Sequence, residues 1–505
     1  MYQYTSFVNR ARIKHCDQAE KWFRHVAKLF DIIHLLIYSF IREMGKGEFA
    51  VSISMGDKYS LTQGGIVKKL FSIAAPLILT QVLQMVYNLT DMFWLGRYSH
   101  SALAASGTVG LFLWMSLAFL FFGRMGAEIG VSQSFGQGNK ERALGFAQNA
   151  VILSALIGVG LSTIVFIAHE SLIMFFRIQE EIVIGYANDY LSMVSLSFPM
   201  AFVSSSIMGI FNGVGNSRTS LVIGGVGFMV NMILTPILIF MFGMGVAGAG
   251  LATVFAHSVA AVLAVILLKK YKNRPFESFK LLVPLKREFV KQIFRWVMPI
   301  SVESFFFTTL TMLVSLLIVS FGENAMSATR VSSQIESLTW LIGGGFASAL
   351  TSFTGQNFGA NKWSRISRGF KISSVIMSAW GLVVSFILIF AGRFLIGLFA
   401  PDSPEIIELG VINLRIFAIC QIPQCLEGVG SGLFRGQGKT IPPSISSITS
   451  NILRVILAYV LVHFTDLGLA GVWIALMAGS TLRGCWIYIW YTFYSRKVPK
   501  VDYAS

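Results

Sequence analysis

Charge is scarce in this chain. Only 13% of its 505 residues are Asp, Glu, Lys or Arg, about half of the roughly 25% usual in soluble proteins. Catalytic motifs are scarce too: no HExxH, no GxSxG and no paired Cys/His set occurs. The nearest approach to a phosphate loop is Gly432-Leu-Phe-Arg-Gly-Gln-Gly438-Lys439-Thr440, but Leu433 stands where a glycine is required and no β-strand precedes it. These absences argue against ATP hydrolysis and against an enzyme. The four cysteines, Cys16, Cys420, Cys425 and Cys485, have no metal-ligand spacing and make no disulfide framework.

What fills the chain is apolar. Hydrophobic residues make up 54%, with 43 Phe and 47 Gly, which reads as an all-α polytopic membrane protein. Twelve apolar segments follow one another from residue 66: 66–95, 101–123, 143–168, 184–210, 219–241, 245–268, 292–320, 326–349, 369–396, 406–432, 441–463 and 468–492. Loops after the even-numbered segments carry nearly all of the loop Lys and Arg. On the other side only Arg97, Arg177 and Arg393 lie at segment ends. That asymmetry predicts a multi-pass plasma-membrane protein with both termini in the cytoplasm. The net charge of +16 then faces anionic lipid, and no nucleic-acid partner is needed.

Residues 1–55 stand apart as an extension. Its best apolar run, Leu29–Ile41, is too short to span a bilayer and is interrupted by Asp31 and His34, so an interfacial or disordered segment is expected. Met55 is a candidate alternative start, which N-terminal sequencing of native protein would check.

The chain repeats itself at a constant offset of 223 residues. Pro76 matches Pro299, and Gln133-Ser-Phe-Gly136 matches Gln356-Asn-Phe-Gly359. Phe211–Gly215 matches Phe434–Gly438, and Gly245–Gly248 matches Gly468–Gly471. Six segments per copy is an even number, so the copies enter the membrane with the same orientation. The expected architecture is an N-lobe over 56–268, a basic cytoplasmic linker over 269–291, a C-lobe over 292–495 and a cytoplasmic tail over 496–505.

One feature was not copied. Gln81, Gln84, Asn88 and Asp91 make a polar stripe in the first segment, whereas Asp91 and Gln84 correspond to Val314 and Phe307 in the second copy. A carboxylate at bilayer depth costs at least about 2.5–3.5 kcal/mol, so Asp91 is the leading ion or proton site. The second copy has its own acids, Glu303, Glu336 and Glu427, as candidates for coupling or substrate contact; Arg330, Arg415 and Arg454 are available to pair with them. Glu128 and Arg124 are expected to form a cytoplasmic structural pair. Pro76 and Pro299 each interrupt a helical hydrogen bond and are expected kinks, with a gating role for the first.

With the repeat, the Pro76–Asp91 helix and the loops Gly136-Gln-Gly-Asn139 and Gly213-Val-Gly-Asn-Ser217 in view, residues 60–495 resemble the multidrug and toxic compound extrusion (MATE) family. The resemblance implies a cation-coupled antiporter that expels amphipathic organic cations in exchange for H+ or Na+, with no cofactor. It also implies that Asp91, Gln84, Asn231 and Thr253 complete a cation site, with Na+ as a ligand of Asp91, Asn231 and Thr253. The chain departs from the Asn-x-x-x-Asp-Pro pattern of many members: here it reads Asn231-Met-Ile-Leu-Thr235-Pro236. A hydroxyl replaces an anionic ligand, which favours H+ over Na+. A lipid-linked saccharide flippase of the same superfold is the alternative. It would call for a basic cavity. Twelve helices suffice for a complete path, so a monomer is expected.

Overall fold

The computed structural model describes residues 59–497 except 177, 272, 273 and 402, so the 1–55 extension and most of the tail lie outside the described residues. The first copy comprises α1 (Ile66–Tyr98), α2 (His100–Gly136), α3 (Lys140–Met174), α4 (Glu181–Ser195), α5 (Phe198–Gly213), α6 (Ser217–Pro236), a π-helical turn (Ile237–Met241) and α7 (Gly245–Lys270). The second comprises α8 (Arg287–Val319), α9 (Glu323–Gly359), α10 (Trp363–Phe390), the short α11 (Gly392–Gly397), α12 (Pro404–Ala418), α13 (Gln421–Gly436), α14 (Ile441–Phe464) and α15 (Gly468–Lys497). No strand occurs among the described residues.

The twelve apolar segments all appear as helix, but not all alike. Among the described residues nine helices are long and apolar enough to cross a membrane unaided. The α4–α5 and α12–α13 pairs meet the same criterion only when each is taken together, and they are bent at the break by 48° and 49°. Pro199 and Pro423, lacking an N–H, leave the carbonyls of Ser195 and Ile419 without a helical donor at those bends. The segment 326–349 falls within α9, which is 37 residues long but carries Gln334, Glu336, Gln356, Asn357 and many Ser and Thr, and it fails the same test of apolarity. Among the described residues nine spans thus meet the criterion, or eleven with each bent pair taken as one span, and α9 does not.

The repeat extends to the backbone. Three pairs of left-handed residues lie 223 apart: Gly138 with Asn361, Gly215 with Gly438 and Gly245 with Gly468. Asn361 is the one non-glycine of the six, and asparagine tolerates that region better than other side chains. Close helix packing is copied as well. Gly209 lies against the Arg124 carbonyl and Gly432 against the Ala347 carbonyl, both positions again 223 apart.

The two lobes are stitched together by their first helices. Leu70, Ile73, Ala74 and Leu77 of α1 pack with Phe346, Phe353 and Leu433 of the second copy. Reciprocally, Phe289, Ile293, Trp296 and Val297 of α8 pack with Phe146, Ala147 and Phe211 of the first. Farther along, α1 returns to its own lobe through Leu95, and α8 to its own through Val314 and Ile318. Contact with the other lobe continues past each proline, with Ile78 against Gly345 and Ser301 Oγ donating to the Ala118 carbonyl, and both helices run through Pro76 and Pro299 unbroken.

Near the ends of α2 and α9 the lobes meet in a reciprocal seam. Gln133 Nε2 donates to the Gly436 carbonyl at 2.9 Å, and Gln356 Nε2 donates to the Gly213 carbonyl at 2.9 Å. A Cβ at Gly136 would land on the Gln356 carbonyl, and one at Gly359 on the Gln133 carbonyl. Glu128 is fully buried here, not at a cytoplasmic surface, and its Oε1 accepts from Ser348 Oγ (2.8 Å) and Ser352 Oγ (3.0 Å) of α9. Among the described residues no Arg124–Glu128 ion pair within 4.0 Å forms, and Arg124 Nε and Glu128 Oε2 are both without a hydrogen-bond partner. The expected surface pair is thus replaced by a carboxylate clasped between lobes.

Candidate functional site in the N-lobe

Asp91 is 8% exposed and points into its own lobe, where α4, α6 and α7 converge on it. Thr235 Oγ1 donates to Asp91 Oδ1 at 3.2 Å, and Tyr190 Oη donates to Oδ2 at 3.4 Å. Asn231, one turn before Thr235 on α6, completes the set. Turned so that its nitrogen faces the carboxylate, it donates to Asp91 Oδ1 at 3.3 Å and to Thr235 Oγ1 at 3.1 Å. Its oxygen then accepts from Thr253 Oγ1 at 3.2 Å and Thr253 N at 3.3 Å. The opposite orientation would ask the single Thr235 hydroxyl proton to serve both Asp91 and Asn231 Oδ1, so the turned orientation is the consistent one. Tyr87 lies beyond, 3.4 Å from Thr253 Oγ1 and stacked on Phe228. The helix carrying Asn231 and Thr235 ends at Pro236 and a π-helical turn, an irregularity that the second copy lacks, since α14 continues to Phe464.

Of the residues singled out from the sequence, Asp91, Asn231, Thr235 and Thr253 come together. Gln84 and Asn88 do not: both are exposed, away from the carboxylate. The stripe was one helix face, but Asp91 sits at its edge and turns toward α6. Tyr190 was missed altogether. Its signal was a phenol in an apolar segment, next to the more conspicuous Asp189. The set offers one carboxylate, hydroxyls and an amide, all hard oxygen ligands or neutral donors. Among the described residues no group of three or more His, Cys, Asp or Glu side chains is arranged to hold a metal ion.

The acids of the C-lobe are spoken for by partners other than those available on inspection of the sequence. Glu303 pairs with Arg435 at 3.5 Å and accepts from Ser444 Oγ at 3.0 Å. Glu427 pairs with Arg483 at 3.1 Å. Glu336, 7% exposed, accepts from Gln424 Nε2 at 2.8 Å. None of the three forms an ion pair within 4.0 Å with Arg330, Arg415 or Arg454 among the described residues.

Comparison with known proteins agrees with this architecture. The MatE family model matches residues 76–237 and again 299–460, two windows separated by the same 223 residues. A probable multidrug resistance protein NorM of Thermotoga maritima is 29% identical over 427 residues, covering 83% of this chain and 90% of the relative. The probable multidrug resistance protein YoeA of Bacillus subtilis is 25% identical over 434 residues, covering 84% and 92%. Among solved structures, a MOP superfamily transporter from Pyrococcus furiosus superposes with a TM-score of 0.82 at 24% identity, covering 87% of this chain and 98% of that one. An outward-facing multidrug resistance MATE family transporter superposes at 0.81 with the same identity and coverage. With the family unit matched once in each lobe, this multi-pass membrane protein belongs to the MatE family of transporters.

Proposed function

We propose that the chain is a secondary antiporter that exports small amphipathic organic cations in exchange for H+, with Asp91 as the coupling group. The observation that carries this reading is the buried Asp91 carboxylate in the N-lobe, surrounded by neutral hydroxyl and amide donors, with no cationic side chain within salt-bridge distance among the described residues. Such a group exchanges a proton or a monovalent cation without first breaking an ion pair. Thr235 adds no second negative charge, so H+ is favoured over Na+. Thr235, Tyr190 and Asn231 orient the carboxylate, and Thr253 fixes the Asn231 amide. Gln84 and Asn88, exposed on α1, are assigned to substrate contact and not to ion binding. The names of the relatives, multidrug resistance proteins, support the substrate class.

Transport follows by alternating access. The seam between α2 and α9 closes the basic end, and a change of angle at Pro76 and Pro299 would move each lobe against the half-helix it borrows from the other. A ligand drives this only by binding one state better than the other. The basic ends face the cytoplasm of a plasma-membrane protein, and a monomer holds the whole path.

The test is ethidium efflux from proteoliposomes under a proton gradient or a sodium gradient imposed separately. Proton-driven efflux that Asp91→Asn abolishes, while insertion and folding persist, is the expected result. Full transport by Asp91→Asn removes Asp91 from the mechanism, and sodium-only transport moves the coupling to Na+. Folded protein that answers to neither gradient points to the flippase.

A further inference from the structure

Adding 223 to Asn231 gives Arg454. The amide that touches the N-lobe carboxylate is thus replaced, at the same place in the C-lobe, by a guanidinium. The carboxylate itself becomes Val314, and Thr235 becomes Ala458. The two lobes hold opposite polarity at equivalent depth.

Arg454 is 8% exposed and lacks a carboxylate within 4.0 Å among the described residues. Its Nη2 donates to Thr311 Oγ1 at 2.6 Å, its guanidinium lies 5.2 Å from the Phe307 ring centroid, and its Nε has no partner. Gly479 of α15 makes room for its stem: a Cβ there would lie 2.6 Å from Arg454 Cβ. One turn further along α15 stands Arg483, 6% exposed, with Nη2 on Glu427 at 3.1 Å and Nε also without a partner. Thr339 Oγ1 on α9 and Ser450 Oγ, one turn before Arg454 on α14, are buried donors in the same condition. Glu336 is the carboxylate whose charge reaches both guanidiniums, from beyond 4.0 Å, and its Oε1 is engaged by Gln424.

A buried guanidinium without a carboxylate in direct contact, such as Arg454, is expensive, and it presents its donors in a plane that matches an oxyanion. The route in is marked by Trp340, over which the Arg483 guanidinium lies at 4.7 Å and which is itself 40% exposed. Trp340 is on the same face of α9 as Gly344, which approaches Gln81 of α1, so it faces the cleft between the lobes.

We propose that the C-lobe carries an oxyanion-binding site, in which Arg454, assisted by Arg483, receives the carboxylate or phosphate of an amphiphilic ligand entering past Trp340. The site extends the transporter reading from cations to amphiphiles that carry an acidic group. It rests on that reading only for the amphipathic character of the ligand.

The experiment uses the full chain in phosphatidylcholine nanodiscs and compares two fluorescent probes, 11-(dansylamino)undecanoic acid and its methyl ester. The acid is expected to bind at least about tenfold tighter than the ester, the effect of a charge-assisted hydrogen bond. Arg454→Gln should bring the acid to the affinity of the ester, whereas Arg454→Lys should keep part of the preference. Adding phosphatidylglycerol distinguishes the sources of the oxyanion: weakened acid binding means that a lipid headgroup occupies the site, and unchanged binding means an organic acid. Equal affinity for acid and ester in the unmodified protein, or an unchanged ratio in Arg454→Gln, overturns the proposal. Should Arg454→Gln not fold, the unmodified ratio and Arg454→Lys decide, and a ratio near one overturns it. Because no gradient is needed, Asp91→Asn should keep the acid preference while losing coupled efflux, so the two readings fail separately.

Discussion

Replacing Gln356 by Leu should loosen the seam between α2 and α9. In the closed arrangement Gln356 makes two buried bonds to backbone: Nε2 to the Gly213 carbonyl and Oε1 from the Leu61 N–H, both at 2.9 Å. Leucine keeps the volume but leaves that carbonyl and that N–H unsatisfied, at about 1–3 kcal/mol each and so about 2–6 kcal/mol in all. When the lobes part, water satisfies both groups, so the penalty falls on the closed state alone. The closed-to-open ratio should drop by about 30-fold or more. Gln133, the partner by repeat, makes only one such bond, to Gly436, so Gln133→Leu should cost about half as much. Nitroxides at Glu141→Cys and Arg368→Cys, both exposed positions beyond the seam, report the separation by double electron–electron resonance in a background without other cysteines. A longer-distance population that grows in the order unmodified, Gln133→Leu, Gln356→Leu is expected. Identical distance distributions in all three would refute the idea that these bonds hold the lobes together.

Two further outcomes follow from the packing. Thr235→Asp puts a second carboxylate beside Asp91, and sodium-gradient-driven ethidium efflux should rise about tenfold, since a cation site strengthens with ligand charge. Equal sodium response in both proteins would count against a shared ion site. Glu427→Gln leaves the buried Arg483 without its ion-pair partner and should lower unfolding free energy by about 3–5 kcal/mol, read by denaturant titration.

The repeat was legible in the sequence because duplicated glycines and prolines mark turns whose backbone cannot be supplied otherwise. Gly215 and Gly438 both adopt positive φ, and so do Gly245 and Gly468. The helical spans were legible from their apolar length. The ligand set around Asp91 was legible in part: periodicity places Gln84, Asn88 and Asp91 on one face, but it cannot tell which edge of that face turns inward. Asp91 goes to α6, whereas Gln84 and Asn88 stay exposed. Partner choice in the C-lobe depended on which helices cross. Glu427 on α13 finds Arg483 on α15, more than 50 residues away, and nothing in local spacing reports that. Glu128 failed for a related reason, because proximity to Arg124 along one helix says nothing about a serine pair arriving from the other lobe.

The polarity of α9 has a consequence for how the protein is made. A helix less apolar than the other spans gains more of its place from neighbours, and its chief neighbours here are α1, α2, α12 and α13. Two of the four, α1 and α2, are synthesised before α9 leaves the ribosome. The first lobe can therefore act as the docking surface that admits α9 to the bilayer, with α13 closing over it afterwards. Stable insertion of this one segment then depends on a completed N-lobe, and truncation of the chain upstream would strand it in water.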